Sequence, residues 1–122
     1  MRFLDLFAGI GGFRTCMEMA GHACVGYVEI DKFARKSYEA IHNTEGEWTR
    51  HDITTVRDEE WRELRGKVDI ICGGFPCQAF SIAGNRRGFD DTRGTLFFEI
   101  AMAAKQIQPP YLLLENVKGF LS

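Results

Sequence analysis

The sequence has no apolar stretch long enough to span a bilayer, and Asp5 interrupts the N-terminal apolar run where a secretory leader would continue. A membrane partner is therefore not expected, and the expected setting is cytoplasmic. Cys-x-x-Cys spacing is missing among Cys16, Cys24, Cys72 and Cys77, which argues against both a zinc site and a dithiol redox pair. In a reducing compartment disulfides are not expected either, and no metal is expected. A basic surplus is also lacking: 15 Lys and Arg stand against 17 Asp and Glu, for a net charge of −2. A protein that grips nucleic acid by itself is usually basic. Either the partner is not nucleic acid, or the basic surface lies elsewhere.

The 122 residues contain no internal repeat, low-complexity tract or linker, and 45% hydrophobic with 26% charged residues is ordinary globular composition. Residues 2–7 read as a strand, residues 8–13 as a glycine turn and residues 14–20 as a helix ended by Gly21. A second strand over residues 23–28 ends at Glu29 and completes a βαβ unit. Asp31 is a candidate cap for a second helix running to about His42. A third strand leads from Trp48 to Asp52 and Ile53, and residues 54–66 read as a polar surface helix. Residues 67–72 form a fourth strand that breaks into a loop at Gly73-Gly74. A glycine-rich, charged segment over residues 81–91 is a candidate mobile loop. Asp91 or Thr92 then caps a helix carrying Leu96, Phe97, Ile100, Ala101, Ala104 and Ile107 on one side, stopped by Pro109-Pro110. Residues 111–114 are a fifth, fully buried strand ending at Glu115-Asn116. Alternating strands and helices with near-continuous apolar strands predict an α/β fold with a doubly wound, mostly parallel sheet. The chain stops shortly after a strand, which suggests an incomplete domain.

In such a sheet ligands sit beyond the carboxyl ends of the strands. The glycine turn after the first strand, Glu29 after the second, Asp52 after the third, Cys77 after the fourth and Glu115 after the fifth all fall on that rim. Gly9, Gly11 and Gly12 let a ligand approach the backbone, and Glu29 is the residue type that holds a ribose diol, so a nucleoside cofactor is expected. The dinucleotide fingerprint needs a glycine where this chain has Arg14, which makes NAD a poor fit. A plainer account of the turn is tight packing of helix on strand. Asp52 can accept from an adenine amino group or simply be solvated. Paired glycines and Pro76 stiffen the mount of Cys77, which reads as a nucleophile or as one more small buried residue. Glu115, at the end of an apolar strand, is expected to be partly desolvated and so suited to share a proton. Taken alone it is better explained as a strand-end acid bonded to Asn116 or to a backbone amide. Arg86, Arg87, Arg93 and Lys118 form a modest basic set near the rim.

Four motifs in order, residues 5–13 (DLFAGIGGF), 74–81 (GFPCQAFS), 93–97 (RGTLF) and 115–117 (ENV), resemble DNA cytosine-5 methyltransferases, especially those of bacterial restriction-modification systems. The likeness runs through the whole chain and covers the N-terminal portion of that family's catalytic domain, without its target-recognition domain. It implies the Rossmann-like sheet of S-adenosylmethionine-dependent methyltransferases. It further implies that Phe7, Gly9, Ile10, Gly11 and Gly12 cradle S-adenosylmethionine, that Glu29 holds its ribose and Ile30 packs on its adenine, that Asp52 and Ile53 meet the adenine edge, and that Pro76 and Leu96 lie close by.

By the same resemblance Cys77 adds to carbon 6 of a cytosine flipped out of double-stranded DNA, Glu115 contacts ring N3 and the exocyclic amine, and Ser81, Arg93 and Asn116 lie near the DNA. The loop over residues 81–94 closes over the base. The missing basic surplus then has an explanation, since the family's main DNA-reading surface lies downstream and could come from a second chain. The alternative is a non-catalytic S-adenosylmethionine-binding or regulatory module. The isolated chain is expected to be inactive.

Overall fold

A computed structural model describes residues 1–75 and 96–116. Its elements are β1 (Arg2–Leu6), α1 (Gly12–Met19), β2 (Ala23–Val28), α2 (Lys32–Ile41), β3 (Trp48–Arg50), a 3-10 turn (Ile53–Thr55), α3 (Asp58–Arg62), β4 (Ile70–Phe75), α4 (Leu96–Ile107) and β5 (Tyr111–Asn116). Among the described residues the strands form one all-parallel sheet in the order β3-β2-β1-β4-β5. The chain walks outward from β1 through β2 to β3, then returns to the other side of β1 for β4. The order therefore reverses between β1 and β4, and a crevice is expected at their carboxyl ends.

β1 is central because nearly everything in it is buried. Side chains alternate across a strand, so Leu4 and Leu6 point to one face and Phe3 and Asp5 to the other. Leu4 and Leu6 join Ile71, Trp61, Leu64, Ile100, Ala103 and Ile107 in the larger core, under α3 and α4. Fully burying one such aliphatic side chain is worth about 1.5–3 kcal/mol. The opposite face is covered by α1 and α2, with Phe3, Ile70 and Cys72 against Phe13 and Met17, and with Tyr27 stacked on Tyr38 at 4.1 Å between ring centroids.

α2 begins where expected. The Asp31 carboxylate accepts from the Phe33 and Ala34 amides at 2.8 and 3.2 Å, satisfying two donors that the first helical turn would otherwise leave open.

Four elements differ from the sequence expectation. Residues 54–66 are not a surface helix: α3 is short, and Trp61 and Leu64, three residues apart, both enter the core. On α4 the buried stripe is Ile100, Ala103, Gln106 and Ile107, while Phe97 is half exposed and Ala101 is exposed. Gln106 is tied to the α3 side by Arg62, which donates to its side-chain oxygen at 3.0 Å, and by Arg65, which donates to its carbonyl at 2.7 Å.

β5 is not fully buried, since Tyr111, Leu112 and Leu113 are 58%, 49% and 43% exposed. Its apolar run reflects parallel pairing to β4, and among the described residues it forms the sheet edge. β4, finally, does not break at Gly73. Pairing continues through Gly73↔Leu114, Gly74↔Glu115 and Phe75↔Asn116. Neither glycine has a positive φ, and a Cβ on Gly74 would make ordinary contact, at 3.5 Å, with Glu115 Oε1 and the Phe13 ring.

Candidate functional site

The turn between β1 and α1 is left-handed at three points: Phe7 (φ 54°), Gly9 (φ 59°) and Gly11 (φ 97°). A positive φ on phenylalanine is uncommon and marks a backbone forced by its surroundings. The turn is held to both neighbouring elements. The Ala8 amide donates to the Val28 carbonyl at 3.0 Å, and the Gly11 amide to the Ala8 carbonyl at 2.9 Å. The Gly9 amide donates to Glu29 Oε1 at 2.7 Å. Glu29 Oε2 accepts from the Asp31 amide at 2.9 Å. Two backbone donors therefore fix the Glu29 carboxylate, and each of its oxygens keeps a lone pair for a ligand.

Beyond the strand ends lies a cleft of about 320 Å³ lined by Phe7, Val28, Glu29, Ile30, His51, Asp52, Ile53, Thr54, Gly74 and Leu96. Its walls are mainly apolar, with carboxylates at Glu29 and Asp52. The Asp52 side chain accepts from the Thr54 amide at 3.0 Å and from the Thr54 hydroxyl at 2.7 Å, which caps the 3-10 turn and sets its direction. Burial, reinforced by the Asp52 charge, raises the Glu99 carboxyl above its ordinary value. Apolar walls with oriented carboxylates at the rim suit a flat ring that carries hydroxyl or amino donors.

Six of the predicted cofactor residues are thus brought to one cleft or its edge: Phe7, Glu29, Ile30, Asp52, Ile53 and Leu96. Gly9 joins them through its bond to Glu29. Ile10 does not line the cleft, and its side chain is 60% exposed. His51, Thr54 and Val28 line it without having been singled out from sequence, and Gly74 lines it although the sequence presents it only as part of the Cys77 mount. The strand-end rule applies to His51 as well as to its neighbour Asp52, so that signal was available.

Arg14, in the first turn of α1, is buried. Its Nη1 and Nη2 donate to the two oxygens of Glu47 at 2.8 and 2.7 Å, its Nη2 also to the Asn43 carbonyl at 2.7 Å, and its Nη1 also to the Tyr38 hydroxyl at 3.2 Å. The Tyr38 hydroxyl donates to Asp5 Oδ2 at 3.0 Å, while Asp5 Oδ1 is buried with no hydrogen-bond partner. Burial pushes the Asp5 carboxyl up to about 7, against the Tyr38 hydrogen bond and the Arg14 charge, which pull it down. The position at which a dinucleotide fingerprint would have glycine is thus the anchor of a buried polar network.

Glu115 is paired in register with Gly74 and is exposed, so the partial desolvation expected for it is not found. The parallel edge position leaves its carboxylate in solvent. Burial pushes the Cys72 thiol up to about 11 and the Cys24 thiol up to about 12, so neither is a ready thiolate. Pro76, Cys77, Ser81, Arg93 and the side chain of Asn116 lie outside the described residues, as do the loop over residues 81–94, the Asp91 or Thr92 cap and Lys118. Among the described residues no group of His, Cys, Asp and Glu could hold a metal ion, and no helix is long and apolar enough to cross a membrane.

Comparison with known proteins adds to this geometry. The family profile of the C-5 cytosine-specific DNA methylase matches residues 1–122. The chain is 48% identical over 122 residues to the type II methyltransferase M.HhaI of Haemophilus parahaemolyticus, covering 100% of this chain and 35% of that protein. It is 52% identical over 117 residues to the type II methyltransferase M.HpaII of Haemophilus parainfluenzae, covering 96% of this chain and 31% of that one. Among solved structures, a mutant of Spodoptera frugiperda DNMT2 superimposes with a TM-score of 0.70 at 28% identity, covering 98% of this chain and 36% of that one. The chain spans about a third of the length of the curated relatives it matches.

Proposed function

The chain belongs to the C-5 cytosine-specific DNA methylase family, and from that membership we propose that it holds S-adenosylmethionine and presents a thiol for methyl transfer to carbon 5 of cytosine in DNA. The observation that carries the cofactor reading is the Glu29 carboxylate, fixed by the Gly9 and Asp31 amides at the edge of an apolar cleft. A ribose diol offers two hydroxyl donors, and this carboxylate keeps two oriented acceptors. Ile30 and Ile53 offer apolar surface for an adenine ring, Asp52 an acceptor for its amino group, and Phe7 and Leu96 further apolar wall. The residues present therefore suit the cofactor. Gly9 and Gly12 have open space where a Cβ would stand, Gly11 and Ile10 contribute backbone to the same turn, and Pro76 is assigned beside it from family likeness alone.

When bound, S-adenosylmethionine supplies an electrophilic sulfonium methyl group. Carbon 5 of cytosine is too weak a nucleophile to take it unaided. Cys77, as thiolate, forms a bond from Sγ to carbon 6, and the displaced electron pair raises the density at carbon 5. Glu115 holds ring N3 and the exocyclic amine, stabilising the charge that the addition creates. After methylation, loss of the carbon 5 proton returns its electron pair to the ring and expels the Cys77 thiolate. A stacked base cannot reach such a site, so double-stranded DNA with a flipped cytosine is the proposed partner. Ser81, Arg93 and Asn116 are assigned to the DNA side.

Residues 1–122 are read as the N-terminal portion of the catalytic domain, and target reading is assigned to none of them. That role falls to further chain or to a second polypeptide. Trapping on duplex DNA carrying 5-fluorocytosine, with S-adenosylmethionine and with or without that target-reading chain, tests the proposal. A complex stable to denaturing electrophoresis is expected in its presence and should vanish in Cys77→Ser. A complex unchanged in Cys77→Ser would contradict the assignment. Cofactor binding with no trapping under any condition would make the chain an S-adenosylmethionine-binding module instead.

A further inference from the structure

His42 lies outside the cleft and outside every motif quoted above, yet it touches the glycine turn directly. It caps the C-terminus of α2 with an extended backbone, its amide donates to the Tyr38 carbonyl at 2.9 Å, and its side chain is 9% exposed. Its ring leans on Tyr38 at 4.7 Å between centroids, tilted by 55°. Nε2 lies 3.1 Å from the Ile10 carbonyl, and a carbonyl oxygen only accepts, so Nε2 carries the proton and donates. The ring also fills the space left by Gly11: a Cβ on Gly11 would run into Nε2, and the φ of 97° at Gly11 disfavours any Cβ in its own right.

We propose that His42 is a positioning residue for cofactor binding: by holding the Ile10 carbonyl and filling the space beside Gly11, it fixes the turn whose Gly9 amide orients the Glu29 carboxylate. The turn is then gripped from two sides, by His42 at Ile10 and by Glu29 at Gly9, with the Ala8–Gly11 bond between them. Removing one grip frees the turn to sample arrangements in which Glu29 no longer presents its acceptors together, and affinity falls by the fraction of competent turn lost. The inference rests on the reading of the cleft as an S-adenosylmethionine site, but its first consequence, the order of the turn, does not.

Two measurements on the full chain separate the two. His42→Phe keeps a ring against Tyr38 and Gly11 and removes the donor; His42→Gln keeps an N–H donor of similar reach. Hydrogen exchange at the Gly9 and Gly11 amides is expected to be about tenfold faster in His42→Phe, with S-adenosylmethionine binding by calorimetry about tenfold weaker and the unfolding midpoint little changed. His42→Gln is expected to stay within about threefold of wild type in both. Equal affinity of wild type and His42→Phe, or equal loss in His42→Phe and His42→Gln, would overturn the role. Should wild type bind no S-adenosylmethionine, the cofactor reading fails, and unchanged exchange in His42→Phe would still overturn the inference by itself. If His42→Phe does not fold, His42→Leu carries the same comparison.

Discussion

Arg14 and Glu47 meet in a two-pronged ion pair, Nη1 to Oε1 at 2.8 Å and Nη2 to Oε2 at 2.7 Å, with the side chains 2% and 13% exposed. The pair pins the start of α1 to the segment that follows α2. Such planar, paired geometry is specific to arginine. Glu47→Ala leaves a buried guanidinium with only Tyr38, Asn43 and Glu18 as partners, so unfolding in urea should show a loss of about 3–5 kcal/mol. A loss under about 1 kcal/mol would mean that water reaches the Arg14 site freely.

Asp5 should make stability fall as pH rises from about 4 to about 7. Its carboxyl is held at about 7 by burial, against 3.8 ordinarily. Between those values the folded state keeps a proton that the unfolded state has already released, so raising pH favours unfolding, by at most about 1.4 kcal/mol per pH unit. Above about 7 both states are ionised and the slope disappears. Glu60 and Asp69, whose carboxyls are lowered by arginine partners, act with the opposite sign and only below about pH 4.5. Urea unfolding of wild type and Asp5→Asn from pH 5 to 8 should therefore diverge below about 7, with the steeper downward slope in wild type, since the raised Glu99 carboxyl acts with the same sign in both; parallel curves would remove Asp5 as the cause of the difference.

Alkylation should distinguish the thiols. Cys24 and Cys72, held up to about 12 and 11 by burial, are expected to stay unmodified by iodoacetamide at pH 7.5 in the native state. Exposed Cys16 serves as the internal standard. Peptide mass spectrometry reads all of them in one digest. Modification of Cys24 or Cys72 at the rate of Cys16 would show that the β1 to α1 face opens readily.

Much of this was legible in the chain itself. The βαβ order, the Asp31 cap and the convergence of Glu29, Asp52 and the glycine turn follow from strand ends and from local chemistry, both of which sequence carries directly. What was not legible depends on partners distant in sequence. Trp61 and Leu64 look like members of a polar surface segment until α4 supplies the face they enter. Gly73 and Gly74 look like a turn, because sequence does not show that β5 pairs alongside and carries the strand through them. Residues 111–114 look fully buried, because an apolar run does not reveal whether an edge strand is covered. Arg14 marks a departure from a dinucleotide fingerprint, but its partners Glu47, Tyr38 and Asn43 lie 24 to 33 positions away. No local pattern announces such a pair.

The central claim is that the cleft holds S-adenosylmethionine through the Glu29 carboxylate, and calorimetric titration of wild type, Glu29→Gln and Glu29→Ala tests it most directly. Wild type should bind with one site per chain. Glu29→Gln, which keeps one acceptor and loses the charge, should bind about tenfold more weakly, and Glu29→Ala about a hundredfold more weakly. Binding by Glu29→Ala at wild-type affinity, or no heat from the folded wild-type chain, would contradict the account.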